Sequence, residues 1–168
     1  MLELSESSFI LQYDHKSIAL LEKYSGKGFY KLYQSFVFEN DITDKDLINI
    51  ISFGYKHGIP QDADLVFDVR FLPNPYYEEN LKTHTGMEEC VRDFVLKFPQ
   101  TKQFLEKVSD MLLMLIPHYI QEGKSELVIA VGCTGGRHRS VTIANKLYEM
   151  LTSRKYKTII RHRDMEKG

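Results

Sequence analysis

The segment from Gly132 to Ser140, with the sequence Gly-Cys-Thr-Gly-Gly-Arg-His-Arg-Ser, carries the residue types from which anion-binding loops are built. Glycines let the backbone approach an anion closely, and hydroxyl and guanidinium groups donate hydrogen bonds to phosphate oxygens. The loop stands between a predicted strand and a predicted helix, so backbone N–H groups at the helix start add partial positive charge. We predict a phosphate site formed by the following residues: Thr134, Gly135, Gly136, Arg139 and Ser140.

The same loop matches a second chemistry, that of cysteine-dependent phosphatases. Cys133 is followed after five residues by Arg139 and Ser140, the spacing in which a thiolate attacks phosphorus while the arginine holds the equatorial oxygens. The reaction also needs a general acid, for which three aspartates outside any recognisable acid-loop motif are candidates: Asp64, Asp68 and Asp164. A non-catalytic binding loop is therefore favoured. A Cys133-dependent phosphatase is the alternative, and a loop that only packs is the third interpretation.

Polar side chains also follow two other predicted strands. Lys56 and His57 come after the first strand, and Arg70 and Asn74 come after the second. Ligands of α/β proteins collect at the carboxyl ends of the strands, so these groups are expected to converge on the glycine-rich loop.

Strand and helix patterns alternate along the part of the chain that positions these residues. Strands are predicted by apolar or alternating runs at residues 47–53, 65–71, 126–131 and 156–161. Helices are predicted by their periodicity at residues 87–98, 102–121 and 138–151, with Pro117 kinking or ending the second. This order predicts an α/β fold: a single layered domain with a mainly parallel or mixed sheet flanked by helices.

Length and composition are those of one globular domain: 168 residues, 43% hydrophobic and 27% charged. No apolar run approaches the roughly 20 residues of a membrane span, and the acidic N-terminus does not resemble a signal peptide. Cys90 and Cys133 are too few for a disulfide framework and lack metal-ligand spacing. We therefore expect a cytoplasmic protein with no membrane association, no metal and no cofactor beyond a phosphate or sugar-phosphate ligand.

Positive charge is concentrated at the end of the sequence. Residues 154–168 contain six Lys or Arg and two Asp or Glu, a net charge of +4 in a chain whose net charge is −1. If residues 156–161 form a strand, Lys157, Ile159 and Arg161 share one face. An anionic partner would bind there, although a solvated basic tail has the same composition.

Several long, collinear motifs resemble one known family. They are Ser52-Phe-Gly-Tyr-Lys-His-Gly-Ile-Pro60, the run from Asp62 to Tyr77 containing Asp-Val-Arg-Phe-Leu-Pro-Asn-Pro, the run from Val128 to Ser140, and Arg161-His-Arg163 with Glu166-Lys167. Together they resemble the C-terminal domain of the bacterial RapZ/YvcJ family over about residues 48–167. We accordingly divide the chain into residues 1–46, an N-terminal extension without an assigned role, and residues 47–168, a RapZ C-terminal-like domain.

The resemblance implies a regulatory adapter that senses glucosamine-6-phosphate, binds small regulatory RNA and presents it to an RNase. It implies a phosphosugar site lined by His57, Arg70, Asn74, Thr134, Gly135 and Arg139. It implies RNA contacts from Lys56, Arg137, Arg139, Arg161, His162 and Arg163. Full-length members also carry a P-loop domain, which residues 1–46 do not resemble. The chain has no Walker A motif, so nucleotide hydrolysis is not expected. A protein partner and a homo-oligomer stay open alternatives.

Overall fold

Four strands form one parallel sheet in the computed structural model, which describes residues 47–167. They are β1 (Leu47–Gly54), β2 (Leu65–Asp68), β3 (Glu126–Cys133) and β4 (Thr158–His162), in the spatial order β2-β3-β1-β4. The register pairs Gly54 with Cys133 and Asp68 with Gly132. The α/β prediction is confirmed, and the sheet is parallel throughout.

Three helices accompany the sheet: α1 (Glu89–Leu96), α2 (Pro99–Gln121) and α3 (Arg139–Ser153). Helix α3 packs against β1, β3 and β4, while α1 and α2 pack against each other and against α3. Short 3-10 turns lie at Tyr55–His57, Pro75–Tyr77 and Met165–Lys167. Among residues 47–167, no helix combines the length and apolar character needed to cross a membrane.

The two central strands supply most of the core because helices and neighbouring strands enclose them. Ile50 and Phe53 of β1 and Ile129 and Val131 of β3 are completely buried, as the continuous apolar runs in these strands lead one to expect. The edge strands β2 and β4 instead alternate between partly buried and exposed residues.

Most predicted elements are present, with shifted ends. Strand β2 stops at Asp68, three residues earlier than predicted. Helix α2 begins at Pro99, since a proline in the first turn gives up only an N–H that has no helical partner. The same helix continues through Pro117 to Gln121, so Pro117 does not end it, and the alternative of a kink at Pro117 stays a prediction. The sequence also has helical spacing at residues 18–24 and a run at residues 32–38 typical of a strand or a packed arm, and both lie outside the described residues.

The parallel arrangement brings the carboxyl ends of all four strands to one edge of the sheet. The segments after β1, β2, β3 and β4 therefore begin close together, although they are up to about a hundred residues apart in sequence.

Candidate functional site

The glycine-rich loop lies directly against the end of β1. Gly136 has φ of +82°, and a Cβ on it would come within 2.7 Å of the backbone nitrogen of Gly54. A Cβ on Gly54 would in turn meet the carbonyl carbon of Gly135 at 2.5 Å. Glycine is needed at both positions, because any side chain would push the loop away from the sheet.

The side chain of Cys133 makes hydrogen bonds within the loop. Its side chain is buried, and its Sγ accepts a hydrogen bond from the backbone N–H of Gly136 at 3.3 Å. The same sulfur lies 3.1 Å from Oγ of Ser140, in the first turn of α3. The loop is thus tied to the beginning of the helix that follows it.

Arg139 is the most deeply placed charged group of the loop, with 4% of its surface exposed. Its Nη1 donates to the carbonyls of Arg70 and Leu72 at 2.8 and 2.9 Å. Its Nη2 donates to Oγ1 of Thr134 at 3.2 Å. Its Nε has no hydrogen-bond partner among residues 47–167. Burial lowers the pKa of Arg139, yet arginine stays protonated at neutral pH because its ordinary pKa is so high.

A cavity of about 650 Å³ opens over the loop. Its lining comes from three of the four strand ends and from the segment before α1: Lys56, Asn74, Tyr76, Tyr77, Lys82, Thr83, Cys133, Thr134, Gly135, Arg137, His138 and Arg139. Four of these residues are Lys or Arg, and none is Asp or Glu. The lining is therefore cationic.

Two further cations of the cavity, Arg137 and Lys82, are held by contacts that do not neutralise their charge. Arg137 donates to three backbone carbonyls, those of Thr83 at 2.7 Å, His84 at 3.2 Å and Met165 at 3.4 Å. The ammonium of Lys82 lies 4.7 Å from the centre of the Tyr76 ring. A carbonyl satisfies a donor but carries no net charge, so the positive charge of the guanidinium remains available to a ligand.

Next to the cavity, other arginines are neutralised by carboxylates. Arg70 forms an ion pair with Asp68 at 2.6 Å. Arg163 and Lys167 both pair with the fully buried Asp164, at 2.6 and 3.0 Å. Although burial opposes ionisation, these partners lower the pKa of Asp164 to about 2. Arg70 and Arg163 are thus paired with carboxylates, whereas Arg137 and Arg139 of the cavity are held by carbonyls.

After Arg139, His138 is the second cavity-lining residue with a buried polar atom that lacks a hydrogen-bond partner among residues 47–167. It is 7% exposed, lines the cavity, and its Nε2 has no hydrogen-bond partner among residues 47–167. Burial lowers its pKa, and the neighbouring Arg137 and Arg139 act in the same direction. Hydrogen bonds to the backbone of Lys82 and Leu81 act in the opposite direction. The imidazole is neutral at pH 7, and because its other nitrogen makes these bonds, Nε2 is left as a hydrogen-bond acceptor.

Four of the residues predicted for the ligand site line the cavity: Asn74, Thr134, Gly135 and Arg139. Lys56 and Arg137, which were predicted to face RNA, line it as well. The segments after β1, β2 and β3 supply all six, as the convergence of strand ends predicted.

The other four predicted ligand residues do not line the cavity. Gly136 and Ser140 shape the loop through Cys133. The guanidinium of Arg70 pairs with Asp68, although the carbonyl of Arg70 accepts a hydrogen bond from Arg139. His57 is exposed, and its carbonyl lies 3.4 Å from Nη2 of Arg163.

Five lining residues were not predicted for the site from the sequence: Tyr76, Tyr77, Lys82, Thr83 and His138. The tyrosines follow the Asn74-Pro75 turn, in which the Asn74 side chain accepts a hydrogen bond from the N–H of Tyr76. That turn was a usable signal, because an Asn-Pro pair begins a 3-10 turn. Lys82 and Thr83 are about fifty residues from the loop, and only the folded chain brings them to it.

The basic segment at the end of β4 is partly used for internal contacts. Arg161 is exposed on the same face as Lys157 and Ile159, as predicted. His162 forms a hydrogen bond through Nδ1 with Oγ of Ser52 at 2.8 Å, and burial lowers its pKa. Arg163 pairs with Asp164. Of these three neighbours, Arg161 alone has an exposed charge without a partner among residues 47–167.

The residues of this site lie within a family match that covers most of the chain. The family described as RapZ C-terminal domain matches residues 46–166. The chain belongs to this family. The RapZ C-terminal domain match runs from the start of β1 to the last turn, so it includes every residue that lines the cavity.

Curated relatives of this RapZ-family chain are named nucleotide-binding proteins. One from Thermoanaerobacter sp. (strain X514) is 61% identical over 119 residues, which is 71% of this chain and 42% of the relative. One from Caldicellulosiruptor saccharolyticus is 60% identical over 121 residues, 72% of this chain and 41% of the relative. One from Lachnoclostridium phytofermentans is 57% identical over 133 residues, 79% and 47% of the two chains. The match thus spans less than half the length of these relatives.

Proposed function

We propose that this RapZ-family chain is a cytoplasmic regulatory sensor domain whose cavity binds a phosphorylated sugar. The observation that carries the proposal is the lining of the cavity, with four Lys or Arg side chains and no carboxylate. Arg139 is buried, Arg137 is partly buried, and Lys56 and Lys82 are exposed. Because all four charges have the same sign and line one cavity, they favour an anionic ligand.

A phosphate group fits the innermost part of the cavity. Arg139 brings a positive charge there, and the hydroxyl of Thr134, the backbone of Gly135 and the start of α3 surround the same region. A guanidinium binds phosphate oxygens through parallel N–H groups, and a helix N-terminus favours negative charge.

The remainder of the cavity suits the sugar. Its volume of about 650 Å³ exceeds what a single phosphate fills and lies within the roughly 300–1,000 Å³ usual for small-molecule sites. Tyr76 and Tyr77 supply aromatic surface, and Asn74 and Thr83 supply groups that can pair with sugar hydroxyls. The family resemblance favours an amino-sugar phosphate such as glucosamine-6-phosphate.

A non-catalytic role is favoured over a phosphatase by the condition of the candidate acids. Asp64 pairs with Lys124, Asp68 with Arg70, and Asp164 with Arg163 and Lys167. The pKa of each of these three carboxyls is lowered, so each is ionised at neutral pH. An ionised carboxylate has no proton to donate to a leaving group, and none of the three lines the cavity.

Replacing Cys133 with serine tests the proposed function against the phosphatase alternative. We expect Cys133→Ser and the unchanged chain to bind glucosamine-6-phosphate in calorimetric titrations with affinities within about threefold, since serine keeps a hydrogen-bonding atom for Gly136. We expect neither protein to release phosphate from an aryl phosphate. Unphosphorylated glucosamine is the control ligand and should bind more weakly. Turnover that disappears in Cys133→Ser would establish the phosphatase, and equal binding of both ligands would refute a phosphate site.

We further propose that the exposed face of β4 contributes to binding RNA or a regulatory protein such as an RNase. Lys157 and Arg161 share this face, and Lys56 and Arg137 lie at the cavity. The chain as a whole has a net charge of −1, so binding depends on local charge and on the shape of the partner.

RNA binding is expected to depend on salt in a way that reports the number of phosphate contacts. Three to five contacts give a slope of log K against log salt of about −2 to −3.5, since each phosphate on a single strand contributes about 0.7. Arg161→Ala should make the slope shallower by about 0.7, whereas Arg92→Ala on helix α1 should leave it unchanged. Gel-shift titrations of a structured RNA at two salt concentrations measure both. Binding that survives Arg161→Ala with the same slope would point to a protein partner instead.

A further inference from the structure

We propose that His84, Glu88 and Cys90 form a binding site for a divalent transition-metal ion such as Zn²⁺ at the start of helix α1. One ligand atom from each residue lies within 4.8 Å of the other two. None of the three lines the cavity, so this site is distinct from the sugar-phosphate site and does not rest on that function.

The three donors suit zinc in type and number. Zinc takes imidazole nitrogen, thiolate sulfur and carboxylate oxygen at about 2.0–2.3 Å, and often leaves a fourth position to water. Ligand atoms at these distances in a tetrahedral arrangement lie about 3.5 Å apart. Nδ1 of His84 and Oε2 of Glu88 are 2.5 Å apart in a hydrogen bond, and all three ligand atoms lie within 4.8 Å of one another. Because His84 is partly exposed and Glu88 and Cys90 are exposed, side-chain rotation can separate the first two atoms and bring the sulfur of Cys90 to the metal. Mg²⁺ and Ca²⁺ fit poorly because they require oxygen ligands.

Local structure places two of the three donors before any metal binds. The Glu88 side chain accepts a hydrogen bond from the N–H of Thr85 at 2.7 Å, and its other oxygen lies 2.5 Å from Nδ1 of His84. Glu88 is also the residue that precedes α1, while Cys90 lies in the first turn of that helix. The donors therefore come from seven consecutive residues with a fixed turn between them.

The charges of the ligands also match that of a divalent cation. The start of a helix is partially positive, which opposes a cation but stabilises anionic ligands. The Glu88 carboxylate and a Cys90 thiolate together balance the two positive charges of zinc. The sequence predicted no metal site, because the two cysteines lack metal-ligand spacing. In the structure Cys133 is remote and buried, and His84 and Glu88 complete the set around Cys90 instead.

Metal binding at this site would act on the wall of the cavity. The carbonyls of Thr83 and His84 accept hydrogen bonds from Arg137, and Thr83 and Arg137 both line the cavity. A metal on His84 would hold the backbone that positions this arginine.

Titration of the full chain with Co²⁺, followed by competition with Zn²⁺, tests the proposal. We expect one Co²⁺ per chain with a thiolate-to-metal charge-transfer band, displaced by Zn²⁺. The band is readily assigned because the chain has two cysteines and Cys133 is buried. Cys90→Ser should remove the band. His84→Gln should weaken binding by more than about tenfold, since losing even an outer-shell partner costs roughly 10–100-fold.

His118→Gln is the matched control, because His118 is an exposed histidine on α2 away from the cluster. It should bind Co²⁺ as tightly as the unchanged chain. Zn²⁺ should also protect Cys90 from alkylation by iodoacetamide, and circular dichroism should show that the exposed-site variants fold normally. A Co²⁺ complex without the charge-transfer band, or equal affinity in Cys90→Ser and His84→Gln, would overturn the proposal.

Discussion

Arg139→Ala is expected to weaken binding of a sugar phosphate by about 1.5–3 kcal/mol, the value of a hydrogen bond to a charged group. The affinity would fall by roughly tenfold to a hundredfold. The reason is that Arg139 is the cation beneath the loop, and its Nη2 donates to the hydroxyl of Thr134 where the loop lines the cavity. Isothermal titration calorimetry with glucosamine-6-phosphate measures the change.

The same substitution also affects the fold, so stability has to be measured alongside affinity. Removing Arg139 leaves the carbonyls of Arg70 and Leu72 without their donor, at a cost of about 1–3 kcal/mol in the free energy of unfolding. Titrations should be made well below the melting temperature of the variant. Arg92→Ala removes a partly exposed arginine of α1 and should change neither quantity by much. An unchanged affinity in Arg139→Ala would contradict the proposed phosphate site.

Asp164→Asn is expected to lower the free energy of unfolding at pH 7 by about 2–3 kcal/mol. The Asp164 carboxylate is fully buried, pairs with Arg163 and Lys167, and accepts a hydrogen bond from the N–H of Gly54 at 2.9 Å. It thus ties the turn after β4 to the end of β1, beside Gly136. We place the loss below that of a fully buried ion pair because the two cations can reach solvent.

The effect should also depend on pH with a definite sign. The pKa of Asp164 is about 2 in the folded chain, below the value of about 3.9 expected when unfolded. Its contribution to stability is therefore complete above pH 4 and is lost as pH falls through 4 toward 2. Urea unfolding of both proteins at a series of pH values should show the difference between them shrinking in that window. Asp68→Asn, in an exposed pair with Arg70, should cost at most about 1 kcal/mol, and an equal loss in both variants would refute the special role of Asp164.

Local features of the site could be predicted from the sequence because they depend on neighbouring residues. The loop from Gly132 to Ser140 was identified from its glycines, hydroxyls and arginines, and it does join a buried strand to a helix. The alternation of exposed and partly buried residues in β4 was predicted from its period of two. The strand ends at Asp68 and Cys133 were not, since apolar patterning specifies burial better than it specifies where pairing stops.

By itself, then, the sequence determined the α/β class, the composition of the loop between a strand and a helix, and the resemblance to the RapZ family. Only the tertiary structure decided which cations serve that loop. Arg70 and Arg163 looked equivalent to Arg137 and Arg139 as residue types, yet the first two face carboxylates and the last two face carbonyls. The physical reason is that a charge is neutralised by what lies within a few ångströms of it, and the packing of segments distant in sequence determines those neighbours.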